Sequence, residues 1–337
     1  MFMTFNFNKM FFLFILFFSV MISISSNSWF GCWIGLEINL LSFIPLISNN
    51  KNILMSEASL KYFLVQSLAS INLLFCILLK MSLLKNFEMN FFISILMNSS
   101  LLMKMGSAPF HLWFPNIIEG LMWFNSFILM TWQKITPMIL LMYYFNKTFL
   151  IIIIIMNSII GALGGLNQTS LRKLMAFSSI NNLSWMISAI MISENLWILY
   201  FSLYSFLISI MCLLFSMMNM FFINQLFFIN INYLIKLMFL INFLSLGGLP
   251  PFIGFFSKWI IINFLMNNNL ILLNFVLIMM SLILLFFYIR IIYSSFMFNY
   301  LKLKWIKIKI KNNLINYLNY FSFFSLFSMI ISTFFYL

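Results

Sequence analysis

Residues 103–115 read MKMGSAPFHLWFP. A lysine, a glycine, a proline and the chain's single histidine here lie inside an apolar run of membrane-spanning length. Lipid offers no hydrogen bonds, so Gly106 and Pro109 can interrupt a spanning helix only where protein or a wet cavity takes up the freed N–H and C=O groups. Lys104 stands two residues before that interruption. The same device returns at 245–251, SLGGLPP, where Gly248, Pro251 and Phe252 repeat the Gly-x-x-Pro-Phe spacing of Gly106, Pro109 and Phe110. Gly247 and Pro250 widen this second break, and Lys258 follows it. Paired Gly/Pro-interrupted spans in the two halves of a chain point to the ion site of a repeat-built transporter. The reading that grows outward from these two stretches is a proton pathway.

Composition places the stretch in a polytopic, all-α membrane protein. Of 337 residues, 64% are hydrophobic and 7% charged, whereas a soluble domain carries about 25% charged residues. The net charge of +13, from 18 Lys+Arg against 5 acids, reads as loop charge that sets topology. Nucleic acid is not an expected partner, because no basic groove with interleaved aromatics lies outside the lipid-length segments. Cys32, Cys76 and Cys212 are far apart within apolar spans and have no metal-ligand spacing. No cleavable presequence is visible at MFMTFNFNKM, and the abundance of Phe, Ile, Asn, Lys and Met without any Asp favours an organelle-encoded protein.

Apolar runs near span length predict about eleven transmembrane helices, at roughly 10–26, 29–48, 58–80, 91–113, 121–145, 148–166, 173–193, 195–221, 234–265, 269–295 and 314–336. Residues 10–145 and 148–295 would be two five-helix repeats, each with a broken fourth helix, at Gly106 to Phe110 and at Gly247 to Phe252. Residues 314–336 would form an extra C-terminal helix. Lys9, Lys51, Arg172, Lys173, Lys236 and the run from Lys302 to Lys311 fall on one side, and Lys80, Lys85 and Lys147 on the other. The basic side is the inside, so the N-terminus starts inside and the C-terminus ends outside.

Four ionisable residues fall near the middle of predicted spans: Glu37, Lys104, Lys134 and Lys258. Each costs about 2.5–3.5 kcal/mol at a helix centre on insertion scales, so pairing or water must offset them, and such residues mark ion routes. Snorkelling is the bland alternative, a poor one for Lys134 in the middle of its span. Pro109 and Pro137 each remove a donor from the carbonyl four residues back, at Met105 and Gln133, beside a lysine. The end of the first half-helix favours the Lys104 cation, whereas Lys258, two turns past its break, gains little from a helix end. A Glu37–Lys104 pair that forms and breaks would hold and release a proton. His111 either extends the route, since imidazole exchanges protons near neutral pH, or is a hydrogen-bonded histidine at the break. Glu57 and Glu119 fall at span ends. Alanine at Gly106 or Gly248 is expected to leave the break to proline and add about 1 kcal/mol of helix propensity.

The segments NSWFGCWIGLEINLLSFIPL around Glu37, EASLKYFLVQSLAS at 57–70, KMGSAPFHLWFPNIIEGL from Lys104, TWQKITP around Lys134, GALGGLNQTSLRKLMAFSSI at 161–180 and NFLSLGGLPPFIGFFSKW near Lys258 resemble the subunit 2 family of mitochondrial NADH:ubiquinone oxidoreductase, respiratory complex I. The resemblance runs nearly the whole length. It implies an antiporter-like fold of two inverted five-helix repeats and a proton route through one glutamate and three lysines, which by motif are Glu37, Lys104, Lys134 and Lys258. The bacterial relatives carry further N-terminal spans, outside the repeats, that this chain lacks. The resemblance also implies a pump module of the mitochondrial inner membrane, with its N-terminus in the matrix and its C-terminus in the intermembrane space. Such a module neighbours other membrane-arm subunits and lipids. It binds no cofactor itself, because NADH, FMN, iron–sulfur clusters and ubiquinone belong to other subunits. The chain indeed lacks a dinucleotide glycine fingerprint and a cysteine cluster. Two other classes fit the composition: a standalone cation/proton antiporter and a structural subunit that scaffolds a complex without moving protons.

Overall fold

The computed structural model describes residues 7–49, 52–82, 87–228, 233–297, 322 and 325. The described residues are almost wholly helical, and seven helices are long and apolar enough to cross a membrane, with shorter apolar helices beside them. The chain divides into two compact units, residues 1–153 and 154–337.

In the first unit, α1 (Phe7–Ser25) and α2 (Trp29–Ile47) form a tight hairpin. Ser28 caps α2 by accepting the Gly31 N–H on its Oγ at 3.2 Å, as a serine N-cap should. Small residues let the two backbones approach, the usual device where lipid gives no hydrophobic drive. A Cβ on Gly35 would lie 2.7 Å from Ser23 Cβ. Then follow α3 (Ile53–Ser82), α4 (Phe87–Met105), α5 (Trp113–Gly120), α6 (Trp123–Met130) and α7 (Trp132–Tyr143). Helix α3 packs on α2, α4 and α5, while α7 packs on α1, α4 and α6.

The sequence places span four at 91–113, but its helix continues past the break as α5, so the interrupted element runs from Phe87 to Gly120. Its first half ends by a local motif. The Ser107 N–H bonds the Leu102 carbonyl at 3.1 Å and the Gly106 N–H the Met103 carbonyl at 3.2 Å, with Gly106 at φ 71°. That is the Schellman closure, in which a left-handed residue follows the last helical one.

Span five is not the continuous helix expected over 121–145. It breaks at Thr131, whose φ and ψ are −118° and −73°. The Thr131 hydroxyl donates to the Phe127 carbonyl at 2.7 Å, a competition with the backbone ladder that bends helices, and Pro137 withholds another donor six residues on. Lys134 therefore stands in the first turn of α7 rather than in mid-helix.

Helix α8 (Lys147–Gly165) leads into the second unit, which holds α9 (Leu171–Ile192), α10 (Glu194–Met218), α11 (Ile223–Phe228), α12 (Tyr233–Gly247), α13 (Ile253–Asn267) and α14 (Ile271–Met297). Helix α9 is buried on all sides and packs on α10, α13 and α14. Its buried serines at 178, 179, 184 and 188 return their hydroxyls to carbonyls three residues back, so they add no unpaired donor to the interior. Helix α12 ends like α4: the Leu249 N–H bonds the Leu244 carbonyl at 3.2 Å, the Gly248 N–H the Ser245 carbonyl at 3.1 Å, and Gly248 has φ 81°.

The two matched glycines overturn the expectation that alanine would gain helix propensity there. Both occupy the left-handed region, which an L side chain enters only at a cost. Lys236, near the start of the ninth predicted span, lies in α12 and is buried. Span eleven and the lysines from 302 to 311 lie outside the described residues.

Candidate functional site

Three of the four mid-span ionisable residues are lysines buried to a degree rare for that side chain. Lys104 is 7% exposed, Lys134 1% and Lys258 6%. Lys104 and Lys134 come together. Both line one cavity of ≈ 20 Å³ in the first unit, with Gln66, Gln133, Tyr62 and Asn39 among its polar walls, and a cavity of that size holds about one water.

The walls are tied to one another. Gln133 Nε2 donates to Asn39 Oδ1 at 2.9 Å, and the Tyr62 hydroxyl donates to Gln133 Oε1 at 3.4 Å, joining α7, α2 and α3. Gln66 Nε2 donates to the Lys104 carbonyl at 3.0 Å. The helix break frees the carbonyls of the last turn of α4, and a neutral amide from α3 takes this one up. The Lys134 ammonium lies 5.1 Å from the centre of the Phe114 ring, within cation–π range. Phe114 in turn fills the space beside Gly106, where a Cβ would meet its Cβ at 2.9 Å. The first break and Lys134 thus share one aromatic ring.

Glu37 is half-buried on α2, and its Oε1 has no hydrogen-bond partner in the protein. Its carboxylate acts electrostatically on both Lys104 and Tyr62 without forming an ion pair with the lysine at 4.0 Å or less. The Glu37–Lys104 pair, expected to form and break, is open in this structure. His111 is partly exposed in the break, its Nδ1 3.2 Å from the Pro109 carbonyl, and it does not line the cavity. Glu57 is exposed and paired with Lys61 one turn along α3.

Lys258 belongs to the second unit and corrects the expectation that it gains little from the break. Its side chain runs back along the chain, and Nζ donates to the Gly247 carbonyl at 2.9 Å, at the partially negative end of α12. Trp185 of α9 offers its ring 5.9 Å away. The approach needs two glycines. A Cβ on Gly248 would stand 2.9 Å from Lys258 Nζ, and one on Gly254 would lie 1.7 Å from the Ser245 carbonyl oxygen. Helix α13 can sit against the end of α12 only because residue 254 has no side chain.

Sequence reasoning missed Gln66, Gln133, Asn39, Tyr62, Phe114 and Gly254. Gln66 and Gln133 did carry a signal, being large amides inside predicted spans. Arg290, inside the tenth predicted span, was another; it donates to the Leu166 carbonyl just past the end of α8. Among the described residues there is no group of three or more His, Cys, Asp or Glu that could hold a metal ion, and the three cysteines are buried and form no disulfide.

Residues 26–285 match the family described as NADH:quinone oxidoreductase/Mrp antiporter, transmembrane. The chain is 49% identical over 309 residues to NADH-ubiquinone oxidoreductase chain 2 of Anopheles gambiae, covering 90% of each. It is 42% identical over 313 residues to the protein of the same name from Locusta migratoria, covering 92% of each. Its fold is similar to a chain of respiratory complex I from Thermus thermophilus, with a TM-score of 0.85 at 18% identity over 97% of this chain and 79% of that one. It is also similar to a chain of an Mrp complex from Dietzia sp. DQ12-45-1b, with a TM-score of 0.79 at 14% identity over 96% and 74%. With a family match over most of its length and close relatives along nearly all of it, the chain belongs to the NADH:quinone oxidoreductase/Mrp antiporter transmembrane family.

Proposed function

We propose that this chain is an antiporter-like, proton-translocating core subunit of a respiratory NADH:ubiquinone oxidoreductase, multi-pass in the mitochondrial inner membrane. In this reading NADH, FMN, the iron–sulfur clusters and ubiquinone act on other subunits, and this chain couples to their electron transfer by moving protons through Glu37, Lys104, Lys134 and Lys258. It neighbours other membrane-arm subunits and lipid, with its N-terminus in the matrix and its C-terminus in the intermembrane space. Its broken helices are matched parts of two inverted repeats.

The observation that carries the reading is that two deeply buried lysines face one water-sized cavity whose other polar walls are neutral. An ammonium buried away from bulk water is costly, so such a lysine is a site that can give up a proton and take one back. A water between the two amines would hand a proton from one to the other. The amides of Gln66 and Gln133 fix the walls without competing for the proton. Phe114 offers Lys134 a π face worth about 0.5–2 kcal/mol to the cation alone, which favours the proton on arrival and is lost on departure. Glu37, acting from a distance, stabilises the Lys104 cation without trapping it as a tight ion pair would.

The test is Lys134→Met in the assembled complex, with protons moved per electron measured in sealed vesicles. A lowered ratio at near-normal assembly is expected. A full ratio would sink the relay assignment and leave a scaffolding subunit.

A further inference from the structure

The two broken helices end in the same backbone motif, but different chemistry takes up their last carbonyls. In the first unit a neutral amide does so, Gln66 Nε2 on the Lys104 carbonyl at 3.0 Å. In the second the donor is an amine that can lose its proton, Lys258 Nζ on the Gly247 carbonyl at 2.9 Å. We propose that Lys258 doubles as the C-terminal cap of α12, so that the proton it carries sets how tightly the second break is held, with Gly248 as the positioning residue that admits the amine. This rests on the reading of Lys258 as a proton-carrying group.

A hydrogen bond from an ammonium is roughly twice as strong as one from a neutral donor. The partially negative end of α12 adds to it only while the lysine is charged. The geometry leaves the amine little freedom. A Cβ at Gly248 would stand 2.9 Å from both Cδ and Nζ of Lys258, so the lysine lies against the left-handed residue that closes the helix. The Gly248 and Leu249 N–H groups, which bond the Ser245 and Leu244 carbonyls, belong to the same closure.

Among the described residues, no carboxylate forms an ion pair with the amine. The acid on the helices packed against α13 is Glu194, at the start of α10, and the cations are Arg172, Lys173, Lys236 and Arg290. The phenols of Tyr200, Tyr204 and Tyr288 and the Cys212 thiol, on α10 and α14, are buried. Loss of the proton at Lys258 therefore weakens the second break, while loss of the proton at Lys104 leaves the first break held by Gln66.

Amide hydrogen exchange in the assembled complex, read at Gly248 and Leu249 for the second break and at Gly106 and Ser107 for the first, tests this asymmetry. Lys258→Met is expected to speed exchange at Gly248 and Leu249 about tenfold, the size of a lost charge-assisted bond. Lys258→Gln, polar but too short to reach the carbonyl, should do the same if the methionine variant fails to assemble. Lys104→Met should leave Gly106 and Ser107 at the wild-type rate, and Gln66→Leu should speed them. Wild-type exchange at Gly248 in either Lys258 variant, or equal acceleration at Gly106 in Lys104→Met, overturns the cap. The relay reading is scored separately by protons moved per electron, which Lys258→Met lowers whether or not the cap exists.

Discussion

Gly106→Ala isolates the first helix break, and its effect can be sized from the structure. Residue 106 sits at φ 71°, where an L side chain costs about 1–2 kcal/mol. The new Cβ would stand 2.9 Å from Phe114 Cβ and 3.0 Å from its Cδ2, so Phe114 must shift by about half an ångström or more. Such overpacking costs about 1–3 kcal/mol. Because residue 106 lies outside the right-handed helical region, no helix-propensity gain offsets these terms, and the net cost to the native break is about 2–5 kcal/mol. Phe114 is also the ring facing Lys134, so the displacement should reach the relay and not the fold alone. The assay pairs the amount of assembled complex with protons moved per electron. Abundance is expected to fall modestly and the ratio more than abundance. A Gly106→Ala complex with a wild-type ratio would show that Phe114 and Lys134 are not coupled, and would refute the reasoning.

Two neighbouring glycines in the second unit should behave oppositely to each other. Gly254→Ala drives a Cβ to 1.7 Å from the Ser245 carbonyl oxygen and should cost about 3 kcal/mol or more, seen as loss of assembled chain. Gly247→Ala finds its nearest neighbour in Leu285 at 3.4 Å and should change stability by about 0.5 kcal/mol or less; similar abundance of the two variants would contradict the close approach of α13 to α12. Glu37→Gln removes a carboxylate that acts on Lys104 through space, and should slow coupled turnover several-fold with assembly intact. An unchanged rate would remove Glu37 from the relay.

The breaks were legible in the sequence because their cause is local. Glycine at a helix end and proline a few residues on act through backbone angles and a missing N–H, and both leave the same trace wherever they occur. Lys104, Lys134 and Lys258 were legible for a different reason, since a charge in an apolar run is conspicuous. What the sequence hid depends on which helix faces which. Gln66 and Gln133 were visible as polar residues, but nothing local says that one caps α4 and the other bridges α2 and α3. The break at Thr131 was missed because a threonine that bonds its own helix looks no different in sequence from one that does not. The reach of Lys258 back to Gly247 was missed because separation along the chain does not give separation in space once the chain bends at the break and brings the end of α12 beside the lysine.

Proton transfer between Lys104 and Lys134 requires both amines to reach water in the cavity they line. The most direct measurement is a structure of the assembled complex that resolves ordered water in the cavity walled by Gln66, Gln133, Tyr62 and Asn39. Water density within hydrogen-bonding distance of both amines is expected. A dry cavity, or one filled by a side chain or lipid that separates the two lysines, would contradict it.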